Sequence, residues 1–249
     1  MLREDFGEIV DRIKRRGLSV SVNTNGGFIP RWIDRLDRAV RVTLSFDGPP
    51  AVHNAVRGEK GYEEVTAAMD LLERRGVTAT LTTVLTNRNL DALEDIFAYA
   101  ARWEAPVLFQ PGTLETLGQA RPNPTAPETE AYRRAIDRLI AEKRGPRRKV
   151  IVNSVRGLYH LRRWPEPTPI PCFVGRLFAR VEADGNVYPC GWKREVGDDR
   201  PVNVREGGFA AAFRGTALTS CESCWCQTTV ELNYALQGDP STVLNLVGF

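Results

Sequence analysis

Apolar and polar positions along the first half of the chain alternate between two periods. Residues 3–16 carry Phe6, Ile9, Val10 and Ile13 on one face, with Gly17 as a stop, which predicts an amphipathic helix. The stretch "LSVSVNTNGG" that follows is β-branched and extended, ending in Asn-Gly-Gly. Ile29, Ile33 and Leu36 then return to helical spacing behind Pro30, predicting a helix over 29–39. The unit repeats with "RVTLSFDG" and a helix over 62–75 stopped by Gly76. It repeats again with "VTATLTTVLT" and a helix over 91–103, and "PVLFQPG" supplies a fourth strand. Strands alternating with helices through short links predict parallel βαβ units.

Beyond Gly112 the pattern changes. Residues 113–127 are rich in turn formers and predict a surface loop or lid. A helix over 128–143, a short strand over 149–153 and a helix over 154–163 follow. The Pro-rich "WPEPTPIP" marks a boundary, dividing the chain into units 1–165 and 166–249. In the second unit "RLFARVEADGNVYPC" predicts two strands around a two-residue Asp184-Gly185 turn. The chain opens on a helix with no strand before it, and four parallel strands cannot close an eight-stranded barrel. Either the sheet is open or its first part is absent from this sequence.

Composition narrows the class without naming it. The chain has 249 residues, 42% hydrophobic and 26% charged, as in an ordinary globular protein. Its apolar runs are too short to span a bilayer, and its first residues carry charge and no apolar core, so no membrane partner and a cytoplasmic location are expected. The net charge is +3, with 29 Arg against 5 Lys interleaved among acids. That distribution argues against nucleic acid, and the basic run "EKRGPRRK" suits a solvated helix end and loop.

In parallel α/β sheets ligands bind beyond the carboxyl ends of the strands. Those ends supply Asn23, Thr24, Asn25 and Gly26, then Ser45, Asp47 and Gly48, then Thr83 and Thr86, then Gln110. Small polar side chains on one rim suit a ribose and amino-acid ligand. They equally suit turns and helix caps. The five cysteines are sharper. Cys172 and Cys190 form a C-x12-G-x4-C pattern with Gly185 inside it, and Cys221-x2-Cys224-x-Cys226 follows. Four thiolates hold either zinc or an iron–sulfur cluster, and a reducing compartment disfavours disulfides. Across the hairpin Cys190 would face about Ala179, so "FVGRL" must curl, at Gly175, to return Cys172 to the site.

"VNTNGGFIP", "LSFDGPPAVHNAVRGEKGYEEV", the C-x12-G-x4-C spacing and "CESC" together resemble the radical S-adenosylmethionine enzymes with a C-terminal SPASM or twitch extension. The resemblance implies an α/β fold: a partial (β/α) barrel, here missing its first βα elements, with a small Cys-rich hairpin and helix extension. It implies S-adenosylmethionine across the open top, with Ser45 and Asp47 near the ribose, Arg57 near the methionine carboxylate and Asn25 on the rim. Val84 and Gln110 lie near the adenine by topology. It further implies one auxiliary [4Fe–4S] cluster on Cys172, Cys190, Cys221 and Cys224, leaving Cys226 spare. A 5′-deoxyadenosyl radical would modify a peptide or small-molecule substrate, with electrons from a flavodoxin or ferredoxin.

The family's C-x3-C-x2-C loop, which binds the cluster that reduces S-adenosylmethionine, has no counterpart here, because no cysteine precedes Cys172. The G-G-E-P segment is missing too, and "MLREDF" matches what commonly follows it. The expectation is therefore a truncated chain, inactive as it stands, with a second [4Fe–4S] cluster only in a longer form. The competing expectation is a non-catalytic scaffold with a structural four-cysteine zinc or iron–sulfur site. His160 is expected to pack or cap a helix, and His53 to lie in a loop. Trp192 and Trp225 are candidates to shield a cluster.

Overall fold

The computed structural model describes residues 1–116, 119, 121–191, 201–216, 221 and 223–247. Four parallel strands form the main sheet in sequential order: β1 (Val20–Thr24), β2 (Val40–Ser45), β3 (Ala79–Leu85) and β4 (Val107–Pro111). The register sets Val22 beside Val42, Leu44 beside Leu81, and Leu81 beside Val107. Side chains on a strand alternate between faces, so these valines and leucines share one face. Helix α1 (Phe6–Arg15) precedes the sheet, and α2 (Ile29–Trp32), α3 (Pro50–Arg57), α4 (Gly61–Arg74), α5 (Leu93–Arg102) and α6 (Thr129–Arg144) join the strands or follow them. Val10, Val65, Met69, Leu72, Ile96, Phe97, Ile136 and Leu139 from α1, α4, α5 and α6 complete a single core against that face.

The opposite face is different. Ser21, Asn23, Arg41, Thr43, Ser45, Thr80, Thr82, Val84 and Gln110 are exposed or half-buried. All-parallel sheets are normally covered on both faces. This one has a dry helical side and an open, hydroxyl-rich side, the arrangement expected of a barrel wall whose inner surface meets a ligand.

Three expectations need correction. The helix predicted over 29–39 stops at Trp32, because residues 33–35 tighten into a 3-10 turn and Leu36 turns extended to enter the core. Asp37 then accepts the Ala39 amide and leads directly into β2. Helix α3 replaces the loop expected around His53: that histidine is its one buried residue, so it has no apolar stripe to detect. The strand predicted over 149–153 reduces to one parallel bridge, Ile151 to Val107.

The rest of the chain comprises α7 (Val155–Leu161), β5 (Arg180–Val181), β6 (Asn186–Tyr188), β7 (Val202–Asn203), α8 (Val204–Arg214), α9 (Gln227–Leu236) and α10 (Pro240–Val247). The hairpin is present, but Glu182 N–H bonds the Asn186 carbonyl, so its loop is the three residues 183–185 rather than two. Gly185, at φ +93°, takes the left-handed position that such a loop requires. Strand β7 adds a third antiparallel partner beside β6. Helix α10 is tied back to the main sheet: Asn245 donates to the Val152 carbonyl at 2.6 Å, and Lys143 Nζ donates to the Ile151 carbonyl and to Asn245 Oδ1. No helix among the described residues is long and apolar enough to cross a membrane.

Candidate functional site

The turn after β1 is built by its own side chains. Thr24 Oγ1 accepts the Gly26 amide and Asn25 Oδ1 accepts the Gly27 amide, both at 3.2 Å. Gly26, at φ +102°, lies on α4: a Cβ there would stand 3.1 Å from the Glu64 carbonyl oxygen. The exposed Asn25 therefore sits at a fixed place beyond the strand end.

After β2 the chain is anchored more deeply. Asp47 is 2% exposed, and both its carboxylate oxygens are occupied. Oδ2 accepts Arg57 Nε–H at 2.7 Å and Oδ1 accepts the Val84 amide at 3.2 Å. The Asp47 amide donates to His53 Nδ1 at 3.1 Å. His53 is buried and stacked on Phe46, and burial, ahead of any charge nearby, lowers its pKa. Asn89, 1% exposed, donates to the carbonyls of Asp47 and Val84 and accepts the Thr86 amide. Thr83 Oγ1 donates to the Phe46 carbonyl at 2.6 Å. The ends of β2 and β3 are thereby locked as one unit.

The consequence falls on Arg57. Its Nε is held by Asp47, its side chain is 28% exposed, and its two terminal nitrogens have no hydrogen bond or ion pair among the described residues. A guanidinium clamped by one edge offers the other as a fork for a carboxylate. Ser45, Val84 and Gln110 point to the open face: Ser45 pairs in register with Thr82, and Val84 with Gln110. The expected rim residues thus divide. Ser45, Val84 and Gln110 face the open side of the sheet, Asn25 and Arg57 follow the ends of β1 and β2 with exposed or half-exposed side chains, and Asp47 is buried and holds Arg57.

The cysteines approach one another from separate segments. Gly175, at φ +77°, donates to the Phe178 carbonyl, and Arg176 and Leu177 both donate to the Phe173 carbonyl, so "FVGRL" curls as expected. The β5–β6 register sets Cys190 opposite Phe178, one residue from the expected Ala179. Burial pushes the Cys224 thiol up to about 12, followed in effect by neighbouring Cys226, Cys172 and Cys190. Asn233 Nδ2 lies 3.6 Å from Cys172 Sγ. Four thiols are a set of soft donors suited to a cluster or zinc. As placed, no three His, Cys, Asp or Glu side chains among the described residues stand together as metal ligands. Trp225 packs 5.1 Å from the His160 ring, and Trp192 lies outside the described residues.

Two contacts missed by sequence reasoning fix the cysteine segment and α9 to α7 and its N-terminal cap. His160, buried as expected, donates from Nε2 to the Cys224 carbonyl at 2.8 Å, since a carbonyl only accepts. Its Nδ1 therefore accepts the Tyr234 hydroxyl at 3.0 Å. Glu231, one turn into α9, accepts the Ser154 amide at 2.8 Å and Gln227 Nε2 at 2.6 Å on the same oxygen. Its other oxygen is buried without a hydrogen-bond partner, and burial raises its pKa. "QTTVELNY" carries no motif announcing this. Only its position directly after Cys226 hints at it.

Comparison with known proteins agrees with this architecture. Residues 1–100 match the family model of the radical SAM superfamily. The mycofactocin maturase MftC of Mycolicibacterium smegmatis is 30% identical over 198 residues, which are 76% of this chain and 49% of the relative. The chain thus spans about half the length of that curated relative. Among solved structures, native anSMEcpe with bound AdoMet and Kp18Cys peptide superposes with a TM-score of 0.62 at 19% identity, over 85% of this chain and 63% of that one. Streptococcus suis SuiB bound to precursor peptide SuiA gives 0.61 at 10% identity, over 85% and 51%. At these identities the likeness is one of fold.

Proposed function

We propose, for a chain that belongs to the radical SAM superfamily, that it forms the S-adenosylmethionine-holding wall and auxiliary-cluster region of an enzyme that modifies a peptide. The observation that carries this reading is Arg57, clamped through Nε by the buried Asp47 beyond the carboxyl end of β2, half-exposed and with its terminal nitrogens unpaired among the described residues. Arg57 binds the methionine carboxylate through its terminal nitrogens. The Ser45 hydroxyl faces the ribose, Val84 and Gln110 flank the adenine, and Asn25 closes the rim. Asp47 and Asn89 keep these groups in place before the ligand arrives, which lowers the ordering cost of binding. In an enzyme that also holds the reducing cluster, S-adenosylmethionine bound here would accept one electron, release methionine and supply a 5′-deoxyadenosyl radical able to take a hydrogen atom from the substrate. Peptide is the preferred substrate class because the peptide-bound structures above share this fold.

Residues 166–249 are proposed as a twitch-like unit holding one auxiliary [4Fe–4S] cluster on Cys172, Cys190, Cys221 and Cys224. Cys226, two residues beyond Cys224, is left as the spare thiol, or a substitute ligand if the loop shifts register. His160 and Asn233 position the loops that bear these thiols. Anaerobic reconstitution with iron and sulfide tests this part. Uptake of about four irons and four sulfides per chain supports it. One zinc per chain and no sulfide contradicts it in favour of a structural four-cysteine zinc site. Titration with S-adenosylmethionine tests the rim.

A further inference from the structure

A cavity of about 470 Å³ opens between α7 and α9, beside the cysteine segment and sharing no residue with the proposed S-adenosylmethionine rim. Its lining is cationic: Arg156, Arg162 and Arg163 all contribute. Arg162 is neutralised by Asp137, which takes its Nε–H at 2.5 Å and its Nη2–H at 3.0 Å. Arg156 and Arg163 form no ion pair among the described residues. Asp239, at the start of α10, accepts from Ser241 and Thr242 and interacts with the Arg156 charge without forming a salt bridge to it. Two guanidiniums therefore face one hollow with no salt bridge to any described residue.

The remaining walls are aromatic except for Thr168. The Tyr159 and Tyr234 rings line the cavity, and Arg156 lies 4.8 Å over the Tyr234 ring. Such a hollow falls in the size range of ligand pockets and is far larger than one small oxyanion. Its chemistry asks for an occupant with an apolar stem and a carboxylate, which a glutamate or aspartate side chain on a peptide provides. The Tyr234 hydroxyl donates to His160, and His160 donates to the Cys224 carbonyl. An occupant touching Tyr234 is thus two hydrogen bonds from the cysteine segment.

We infer that this cavity is a docking site for an acidic segment of a peptide, with Arg156 and Arg163 as the carboxylate-binding groups. The inference rests on the peptide-modifying reading for its choice of ligand, not for the site itself. Charge-assisted pairs with two guanidiniums give most of the selectivity, so it weakens with added salt.

The test is fluorescence anisotropy on the full chain, without S-adenosylmethionine or reconstituted iron, so failure of the radical chemistry leaves it interpretable. The probe is labelled Gly-Asp-Glu-Asp-Glu-Gly, compared with Gly-Asn-Gln-Asn-Gln-Gly. The expected result is saturable binding of the acidic peptide, about tenfold or more tighter than the amide peptide. The R156Q/R163Q double variant should lose that preference, and the charge-keeping R156K/R163K should retain part of it. R74Q/R75Q, on distant α4 and its end, should bind as the parent does. Equal binding of both peptides overturns the inference, as does an undiminished preference in R156Q/R163Q. Displacement of the peptide by an equal concentration of inorganic phosphate overturns it in favour of a simple oxyanion site. A melting curve on each variant separates lost binding from lost fold.

Discussion

Asp47 accepts the Nε–H of Arg57 at 2.7 Å on one carboxylate oxygen and the Val84 amide at 3.2 Å on the other. One buried side chain thus ties together the end of β2, the end of β3 and α3. Asp47→Asn keeps the shape but removes the charge facing Arg57. It is expected to cost about 1–3 kcal/mol, below the range for a fully buried pair because Arg57 retains access to water. Urea unfolding midpoints at pH 7 measure it.

Asn89 is 1% exposed and joins two carbonyls and an amide from the β2 and β3 ends. Asn89→Ala leaves those groups buried without partners, and the expected loss is about 2–3 kcal/mol. Hydrogen exchange at the Thr86 amide should speed up even where the global fold survives.

Gly157→Ala would place a Cβ 2.1 Å from Glu231 Oε1 and 2.6 Å from Gln227 Nε2. The carboxylate cannot retreat, because it is buried and holds the Ser154 amide. The variant is expected to lose about 1–3 kcal/mol, read as a lower melting temperature. Gly157→Ala combined with Glu231→Ala should recover part of that loss.

The two histidines set a pH dependence. Burial lowers the pKa of both His53 and His160 below the ordinary 6.5, so the unfolded chain binds protons that the folded chain refuses. Their contribution to stability is then at its plateau above pH 6.5 and falls as pH drops from there through the lowered folded values. The urea midpoint should decline from pH 6.5 to 5, partly offset by Glu231, whose raised pKa has the opposite sign, and should rise slightly towards pH 8 as the buried Lys143 begins to lose its proton. His160→Gln should make that decline shallower.

Much of the fold is legible in the sequence because it rests on periodicity. The four strands and their parallel order follow from β-branched runs separated by helical ones, and the curl at Gly175 follows from the distance Cys172 must return. What stays hidden rests on polar side chains acting at long range. The inward turn of Asp47 cannot be read from "SFDG", since the same four letters suit a ligand-facing aspartate. His53 reads as a loop residue because α3 lacks an apolar stripe, although its imidazole is the buried acceptor of the Asp47 amide. Glu231 and Ser154 are 77 residues apart, and no local pattern links a helix-borne glutamate to that amide.

The cysteines differ in their expected reactivity before any metal is added. Cys224 is buried with its thiol pushed up to about 12, whereas Cys172 and Cys226 are exposed. The thiolate is the reacting form. Iodoacetamide at pH 8 should therefore modify Cys172 and Cys226 well before Cys224, as followed by peptide mass spectrometry.

Central to the proposed function is that the Asp47-clamped Arg57 fork receives the methionine carboxylate of S-adenosylmethionine. Isothermal titration of the chain with S-adenosylmethionine, beside Arg57→Gln and with folding checked by circular dichroism, tests it most directly. The predicted result is saturable binding to the parent chain, weakened by about tenfold or more in Arg57→Gln. Equal affinity of the two proteins, or no binding to the folded parent chain, would contradict it.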